Sequence, residues 1–483
     1  MNLTLQPQQK SVLRKRNALF AVLLFIGGSS QAFGADLVEI YRLGLRNDPK
    51  FEVARYSLKA AQEKYPQAIA GLLPTLNASG VNNSTRAQNE YSNAPAVDRK
   101  VHAWNWSLQL TQPLFRLQNL FAYDEAKIIL EQAQAQYTLA EQDMILRTTQ
   151  AYFEVMASRE GIKVAESEIA ATQEQLALSK RGFEKGVVAI TDVYDGQSRL
   201  DLAQARLVAA RSELDAKTTE LSKIVDEVPE KLAALDPSVF IPTPQPNDLS
   251  TWVKQAQENN AAVKAAQFAL LATETVVKKT KSEHLPTVDL VASYGENYST
   301  GSTVLQTDFA SRGLNGQIGV QVNVPLFAGG GVSSKVSEAI ANKYRVGAEL
   351  EVARRQASTD ARLAFAGVVN GMAQINAIES AVKSGQKAID GNRAGYKLGI
   401  YSNINVLNAE QQFYASKRDL IKARYDTLLQ ALKLKAAAGN LSEADLLSTN
   451  ALLSSGNPVS LETAYTQEVE RGLKIDRTLR LGN

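Results

Sequence analysis

The sequence predicts a mainly helical protein built from two repeats, each with an N-terminal helical segment, two strands and a long helical hairpin. The chain has 483 residues, of which 45% are apolar and only 7% aromatic, a composition that favours helix. Motifs recur at a fixed offset along the sequence, which is the signature of an internal repeat. In both halves the hydrophobic period changes from two to the helical value in the same order.

The offset between the halves is 212 residues and becomes 213 in the hairpins. Leu73-Pro74-Thr75 matches Leu285-Pro286-Thr287, and Gly186 matches Gly399. Four prolines between residues 237 and 246 separate the repeats, because proline interrupts helices. We therefore divide the chain into a first repeat (35–236), a proline-rich linker (237–247), a second repeat (248–444) and a C-terminal tail (445–483) that we expect to be partly disordered.

Residues 1–34 have the pattern of a cleaved secretory signal peptide. Basic residues precede an apolar run of 11 residues (18–28), which is too short to span a bilayer. Small residues follow at a predicted cleavage site after Gly34, with cleavage after Ala32 as the alternative. No cysteine follows that site, which excludes lipidation. Removing the four basic residues of this segment from the total of 53 leaves 49 against 50 acidic residues. This balance argues against a nucleic-acid partner.

Two segments in each half alternate with period two and are predicted strands. In the first half they are residues 75–81 and 104–111, and in the second half 288–294 and 317–324. The polar segments between them, 82–101 and 296–315, are rich in Asn, Ser, Thr and Gly, and we expect them to be exposed loops.

After each strand pair the pattern becomes helical and continues without proline. Residues 118–185 and 333–397 are predicted helices of ~100 Å at ~1.5 Å per residue, far longer than an ordinary globular helix. Gly186 and Gly399 interrupt them, and helical patterning resumes at 193–224 and 406–438. Each half therefore contains a helical hairpin that turns at a glycine.

The composition excludes several functional classes. Cysteine is absent and the two histidines, His102 and His284, offer little for a metal centre, so we assign them surface or interfacial roles. The glycine run 329–331 lacks the lysine and Ser/Thr of a phosphate loop, and we interpret it as a hinge between strand and helix. No catalytic constellation is visible. We therefore predict that the protein is not an enzyme and needs no cofactor or metal.

The alternating strands fit either a soluble sheet or a membrane barrel, since both give the same pattern. Trp104 and Trp106 fit the aromatic band that faces lipid in membrane barrels, and Asn105 and Gln109 fit a wet lumen. Four strands cannot close a barrel, and an open sheet edge cannot face lipid. The membrane interpretation therefore requires an oligomer, and a symmetric trimer would supply twelve strands.

Several motifs together resemble the TolC family of outer-membrane efflux and secretion channels. They are His284-Leu285-Pro286-Thr287 with Asp289-Leu290, Val324-Pro325-Leu326-Phe327 with Gly329-Gly330, Ala151-Tyr152-Phe153, the turn at 186–193, and Ala394-Gly395-Tyr396. The resemblance implies a homotrimer with a twelve-stranded barrel in the outer membrane of a Gram-negative bacterium and a twelve-helix tunnel through the periplasm. It also implies a periplasmic adaptor and an inner-membrane ABC or RND transporter as partners.

The resemblance further implies that the hairpin turns form a gate at the periplasmic tip of the tunnel. The implied gate residues are Thr191, Asp192, Asp195, Tyr396, Tyr401, Asn405 and Asn408. Family members commonly carry two aspartates three residues apart in the second turn, where this chain has Asn405 and Asn408. The acidic pair lies instead in the first turn, as Asp192 and Asp195. The arginine that tethers neighbouring hairpins in well-known members would fall at Tyr401.

These exchanges predict a gate that is less cation-selective than the family norm, unless Asp195 turns inward, because amides carry no charge toward the lumen. The alternative interpretation is that Asp192, Asp195 and the two asparagines cap the returning helices.

The leading functional hypothesis is a passive exit duct for proteins or small toxic compounds. The similarity to the TolC pattern and the lack of lipidation favour protein secretion with shared efflux. A periplasmic coiled-coil adaptor or spacer is the alternative, although it would not need two pairs of strands. An outer-membrane hydrolase would require a nucleophile and a base that the sequence does not show.

Overall fold

The computed structural model describes residues 35–92, 94–229, 232–235, 241, 243–303 and 309–453. The predicted signal peptide and most of the predicted tail lie outside the described residues, as does part of the linker. The helices are α1 (Leu37–Asn47), α2 (Pro49–Gln62), α3 (Lys64–Ala70), α4 (Leu117–Glu184), α5 (Ile190–Val225), α6 (Leu249–Asn259), α7 (Ala261–Lys281), α8 (Gly331–Lys397), α9 (Asn403–Ala437) and α10 (Glu443–Ala451). The strands are β1 (Thr75–Tyr91), β2 (Ala94–Phe115), β3 (Thr287–Ser299) and β4 (Ser311–Asn323).

The element order repeats as the offset predicted. Short helices, two strands, a very long helix and a shorter returning helix occur in each half, and α10 follows across the predicted boundary at residue 444. The long helices α4 and α8 have 68 and 67 residues, which corresponds to ~100 Å at ~1.5 Å per residue. The returning helices α5 and α9 have 36 and 35 residues and therefore reach only about half-way back.

The upper halves of the long helices contact the short helices of the repeats. There α4 packs against α2, α3 and α7, and α7 packs against α8. In the lower half α4 lies between α5 and α9, and α9 packs against α8. At each level one chain thus contributes four neighbouring helices. No described helix is long and apolar enough to cross a membrane.

The main hydrophobic core lies at the level where the returning helices end. Tyr152 of α4 and Leu221 of α5 are fully buried there, together with residues of α1, α9 and α10. The Tyr152 hydroxyl donates to the Ala233 carbonyl at 2.6 Å and so holds the segment that follows α5. The first and last described segments also meet here, because the Leu37 N–H donates to Asn450 Oδ1 at 3.0 Å.

The four strands form one antiparallel sheet in the order β1-β2-β3-β4. All four predicted strands are present, but the prediction of loops at 82–101 and 296–315 was wrong for most of these residues. Strand β1 continues to Tyr91 and pairs with β2 from Ala94 onward, and β3 and β4 extend to Ser299 and back from Ser311. The missed parts are mostly polar, and their few apolar residues, such as Val97 and Val101, do not form a regular alternation; cross-strand hydrogen bonds hold them instead.

Candidate functional site: the hairpin tips and the sheet

Both hairpins turn through the same glycine-dependent motif. Gly186 and Gly399 have φ of 70° and 71°, a left-handed conformation that favours glycine. The N–H of each following residue donates five residues back, from Val187 to Gly182 and from Ile400 to Gly395, at 2.9 Å in both turns. This Schellman arrangement ends the long helix and satisfies its last carbonyl groups. The two predicted turn glycines therefore have a defined role.

The alternative interpretation, in which Asp192, Asp195, Asn405 and Asn408 cap the returning helices, does not match the N-cap positions. The N-cap of α5 is Ala189 and that of α9 is Ser402, and neither makes a side-chain capping bond. Asp192 and Asn405 each lie three residues after the cap, in the first helical turn, where a carboxylate is favoured by the helix dipole. Thr191, Asp195 and Asn408 are exposed, and Asp192 is half-buried.

Tyr401, at the position where the resemblance expects a tethering arginine, packs on its own hairpin. A side chain at Gly395 would overlap the Tyr401 ring, so the ring lies directly against the backbone of α8. Tyr396 is half-buried in the last turn of α8, and its carbonyl accepts the Gly399 N–H at 3.0 Å. Both tyrosines thus shape the second turn.

A buried amide contact that sequence reasoning missed joins the two hairpins at the tip. Asn403, the first residue of α9, is fully buried. Its Nδ2 donates to the Asp192 carbonyl at 3.0 Å, and its Oδ1 accepts from Gln175 Nε2 at 2.7 Å. Gln175 belongs to α4 and is also buried. We call Gln175, Asn403 and the Asp192 carbonyl the amide tether, since they connect α4, α5 and α9 without any charge.

A second, more exposed contact links α5 to α9. Arg199 donates through Nη2 to Asn408 Oδ1 at 2.9 Å, and through Nη1 to Gln411. Asn408 therefore accepts a hydrogen bond from a cation on the neighbouring helix. Asn405, one turn earlier, is exposed, and its carbonyl accepts from Asn392 at 3.4 Å. The two asparagines differ in their surroundings although the sequence pattern treats them alike.

Above the tip, a buried carboxylate binds two arginines from different helices. Glu168 of α4 accepts from Arg206 of α5 at 2.5 Å and from Arg418 of α9 at 2.8 Å. Both arginine side chains are about one-third exposed, whereas Glu168 is buried. Removing one partner of such a network leaves charge without compensation, so Glu168 holds three helices in register.

Within the second hairpin, Glu410 of α9 pairs with Arg393 of α8 at 2.7 Å. Glu410 is buried, and its other oxygen, Oε2, has no hydrogen-bond partner among the described residues. Burial raises the pKa of the Glu410 carboxyl above its ordinary value, with smaller contributions in the same direction from Glu174 and Glu168. The lower part of the second hairpin thus contains a carboxylate that takes up a proton more readily than an exposed one.

The sheet has one apolar and one polar face. Directly paired residues share a face, and the register places Leu76, Leu110, Ala292 and Ile318 in one row. The apolar face carries Leu76, Ala78, Trp104, Trp106, Leu108, Leu110, Tyr294, Tyr298, Leu314, Ile318, Val320 and Val322. The polar face carries Asn77, Ser79, Asn105, Ser107, Gln109, Ser293, Asn297, Asn315, Gln317 and Gln321.

Aromatic side chains bound the apolar face at both ends. Trp104 stacks on Tyr298 with ring centroids 5.7 Å apart, and Trp106 contacts Tyr294 edge-on at 5.9 Å. At the other end Phe115 and Phe327 are exposed. Eleven residues of β2 separate Trp104 from Phe115, which at ~3.4 Å rise and ~40° tilt spans ~29 Å, close to the height of a lipid-facing band.

Ile318 and Val320 are 74% and 62% exposed, and among the described residues the outer edges of β1 and β4 have no strand partner. Such a sheet is incomplete by itself, because exposed apolar faces and open edges need a covering environment.

The model of the outer membrane efflux protein family matches residues 40–226 and 252–440, one match for each repeat. The chain belongs to this family. It is therefore an outer-membrane transport protein and not an enzyme. It is 29% identical to the outer membrane protein TolC of Escherichia coli (strain K12) over 471 residues, covering 96% of this chain and 94% of that protein.

Two further comparisons agree. The chain is 29% identical to the proteases secretion protein PrtF of Dickeya chrysanthemi over 441 residues, covering 90% of this chain and 94% of the relative. Its fold matches the crystal structure of the Campylobacter jejuni CmeC outer membrane channel with a TM-score of 0.71 at 15% identity, covering 94% of this chain and 98% of that one. The predicted family resemblance is thus confirmed.

Proposed function

We propose that the protein is the exit duct of a tripartite export system and works as a homotrimer. The observation that carries the proposal is the sheet with opposite apolar and polar faces and two unpartnered edges. In lipid every backbone N–H and C=O needs a partner, so β4 of one copy would pair with β1 of the next. Three copies close a twelve-stranded barrel with the polar face inward, and Trp104 and Trp106 then face lipid.

The helices support the same assembly. Exposed apolar side chains lie on α8, including Tyr344 and Val352, and on the opposite lateral side of the chain, including Val53 and Tyr56 of α2. A second copy would cover both sets. Four helices per chain at each level give a twelve-helix tunnel. With helices of ~100 Å, the tunnel has the length needed to connect an outer-membrane barrel to partners deep in the periplasm.

The cargo class follows from the relatives. They include a protein named for protease secretion and channels named for efflux, so we propose that proteins, small toxic compounds or both pass through the duct. A periplasmic adaptor and an inner-membrane ABC or RND transporter would supply the energy and the cargo. A polar lumen lined by Asn105, Ser107 and Gln109 suits passage without tight binding.

The hairpin tips would form the gate. The closed tip is held by the amide tether and by Arg199, and the exposed polar residues of the two turns, including Asp195 and Asn405, line or border the aperture. With amides at Asn405 and Asn408, we propose an aperture that is less cation-selective than one lined by carboxylates in the second turn.

The test is single-channel conductance of the purified mature protein in planar bilayers, together with its mass in detergent. A trimer with a small resting conductance is expected. A monomeric, detergent-independent protein without conductance would refute the duct and favour the periplasmic adaptor or spacer.

A further inference from the structure

A polar ribbon extends the sheet beyond its aromatic end. Strands β3 and β4 end at Ser299 and Ser311, in the row that contains Ala103, whereas β1 and β2 continue pairing to Tyr91 and Ala94. In the proposed barrel this ribbon lies outside the membrane, above the row of Trp104 and Tyr298. A role for this ribbon at the membrane surface therefore rests on the proposed barrel.

The inner face of the ribbon is covered by the chain that follows β3. Asn89 Nδ2 donates to the Thr303 carbonyl at 2.5 Å, and Arg99 Nη1 donates to the Ser302 carbonyl at 3.1 Å. Asn89 and Arg99 are odd-numbered residues, which share the polar, lumen-facing side of the strands with Asn105. They and Val101 are half-buried or buried. The lumenal face of the ribbon is thus occupied.

The outward face of the ribbon is open and basic. Register and alternation place Arg86, Lys100 and His102 on the same face as Trp104, and all three are exposed. Arg312 lies in the row of Trp104 and Tyr298 on that face. The patch formed by Arg86, Lys100, His102 and Arg312 is called the basic collar below.

Two carboxylates pair with arginines of the basic collar and leave its side chains exposed. Asp98 accepts from Arg86 Nε at 3.0 Å, and Glu296 accepts from Arg312. The Arg312 side chain nevertheless remains 68% exposed, while Glu296 is buried beside it. Lys100 has no acidic partner among its cross-strand neighbours, because it pairs with Arg86. The collar therefore presents two cations outward: Lys100, which is exposed, and the guanidinium of Arg312, which remains largely exposed beside Glu296.

The height of the basic collar matches the lipid headgroup layer. Arg312 is level with the aromatic row, and Lys100 lies four residues above Trp104 on β2, ~10 Å higher at ~3.4 Å rise and ~40° tilt. The headgroup region adds ~5–8 Å on each side of the hydrocarbon core, and a lysine side chain can bend toward it.

We propose that the basic collar binds the phosphate groups of lipid headgroups in the outer leaflet. Cations placed directly above a lipid-facing aromatic band lie next to the headgroup phosphates of the surrounding lipids. These phosphates are therefore the anions nearest to the basic collar. Arg312 can bind phosphate with its guanidinium, and Lys100 can bind it as a point charge. The site continues the lipid-facing surface, so an acylated ligand would contact the apolar band and the collar together.

The experiment uses the purified full-length mature trimer in detergent, titrated by native mass spectrometry with a diphosphorylated glycolipid (lipid A) and with its dephosphorylated form. Each interfacial cation near an anionic lipid contributes about five-fold in affinity, so Lys100→Gln should weaken binding about five-fold and Lys100→Gln/Arg312→Gln about 25-fold. The matched control is Lys383→Gln/Lys387→Gln, which removes two exposed cations from α8. If the double variant does not fold, the Lys100→Gln variant alone still tests the proposal.

Wild-type preference for the phosphorylated lipid, lost in the collar variants and kept in the control, is the expected result. Equal binding of both lipids by wild-type protein would overturn the proposal, as would displacement of the lipid by millimolar inorganic phosphate, which would indicate a free-anion site. Flotation with liposomes tests membrane insertion separately, so a protein that inserts but does not prefer the phosphorylated lipid overturns only the proposal for the basic collar. A wild-type chain that does not insert at all would overturn both.

Discussion

Replacing Asn403 by alanine tests the amide tether at the hairpin tips. Asn403 is fully buried, and its amide group makes two hydrogen bonds, to Gln175 and to the Asp192 carbonyl. Alanine fits the space but leaves the Gln175 amide without its partner, whereas the Asp192 carbonyl keeps its place in the hydrogen-bond ladder of α5. In an opened tip the Gln175 amide would be hydrated. The substitution therefore acts on the closed state and spares the open one.

The expected magnitude follows from the one buried group left unpaired, the Gln175 amide. A buried polar group without a partner costs about 1–3 kcal/mol. At about tenfold per 1.4 kcal/mol, the ratio of open to closed channels should rise about 5- to 140-fold. The duct should then show frequent openings at rest.

The assay is single-channel recording in planar bilayers, with thermal unfolding of the same preparation as a check on folding. The matched control is Asn405→Ala, which makes the same exchange in the same helical turn. The Asn405 side chain is exposed, and its hydrogen bond from Asn392 goes to the backbone carbonyl, which alanine retains. If Asn403→Ala and Asn405→Ala gave the same open probability, the tether would not hold the tip closed.

Three further predictions concern residues near the hairpin tips. Arg199→Ala should raise the resting open probability about five-fold, since it removes a partly exposed contact of about 1 kcal/mol. The control is Arg211→Ala, which changes another arginine of α5 and breaks only its exposed pair with Glu166 of α4. This control should leave the recordings unchanged. In reversal-potential measurements with mixed salts, Asn405→Asp should shift selectivity toward cations more than Asn408→Asp, because Arg199 would neutralise a carboxylate at 408; equal shifts, or none, would count against this geometry. The pKa of Glu410 is raised in the folded state, so the native protein binds more protons than the unfolded chain between the folded pKa and the ordinary value of 4.5. Wild type should thus gain thermal stability relative to Glu410→Gln as pH falls from 7.5 to 5, and a constant difference in melting temperature would contradict the assignment.

The repeat and its helices were predictable because they depend on local patterns. The glycine turns at Gly186 and Gly399 and the absence of proline in α4 and α8 are visible directly in the sequence. The ribbon strands were missed because their residues are mostly polar and Val97 and Val101 alone do not make an alternating pattern. A strand held by backbone pairing and by the contact between Arg86 and Asp98 gives no period-two hydrophobic signal.

The contacts at the tip were missed because they join residues about half the chain apart. Gln175 and Asn403 are separated by 228 positions, and Arg199 and Asn408 by 209. One signal was available. At the offset of 213, buried Asn403 corresponds to Ile190, so the second half carries an amide where the first has an apolar residue. A departure from repeat symmetry therefore marks the contact between the repeats.

The hydrogen bond from Leu37 to Asn450 spans 413 positions and so constrains the order of folding. Ribosomes produce the N-terminal end first, and that end has to wait for nearly the whole chain before its partner exists. Contacts of such long sequence separation form slowly, since loop closure precedes any gain from them. The helical hairpins can form early from local contacts. We therefore expect the region around Tyr152 and Asn450 to form last. Until it forms, the chain exposes apolar surface that chaperones and proteases recognise.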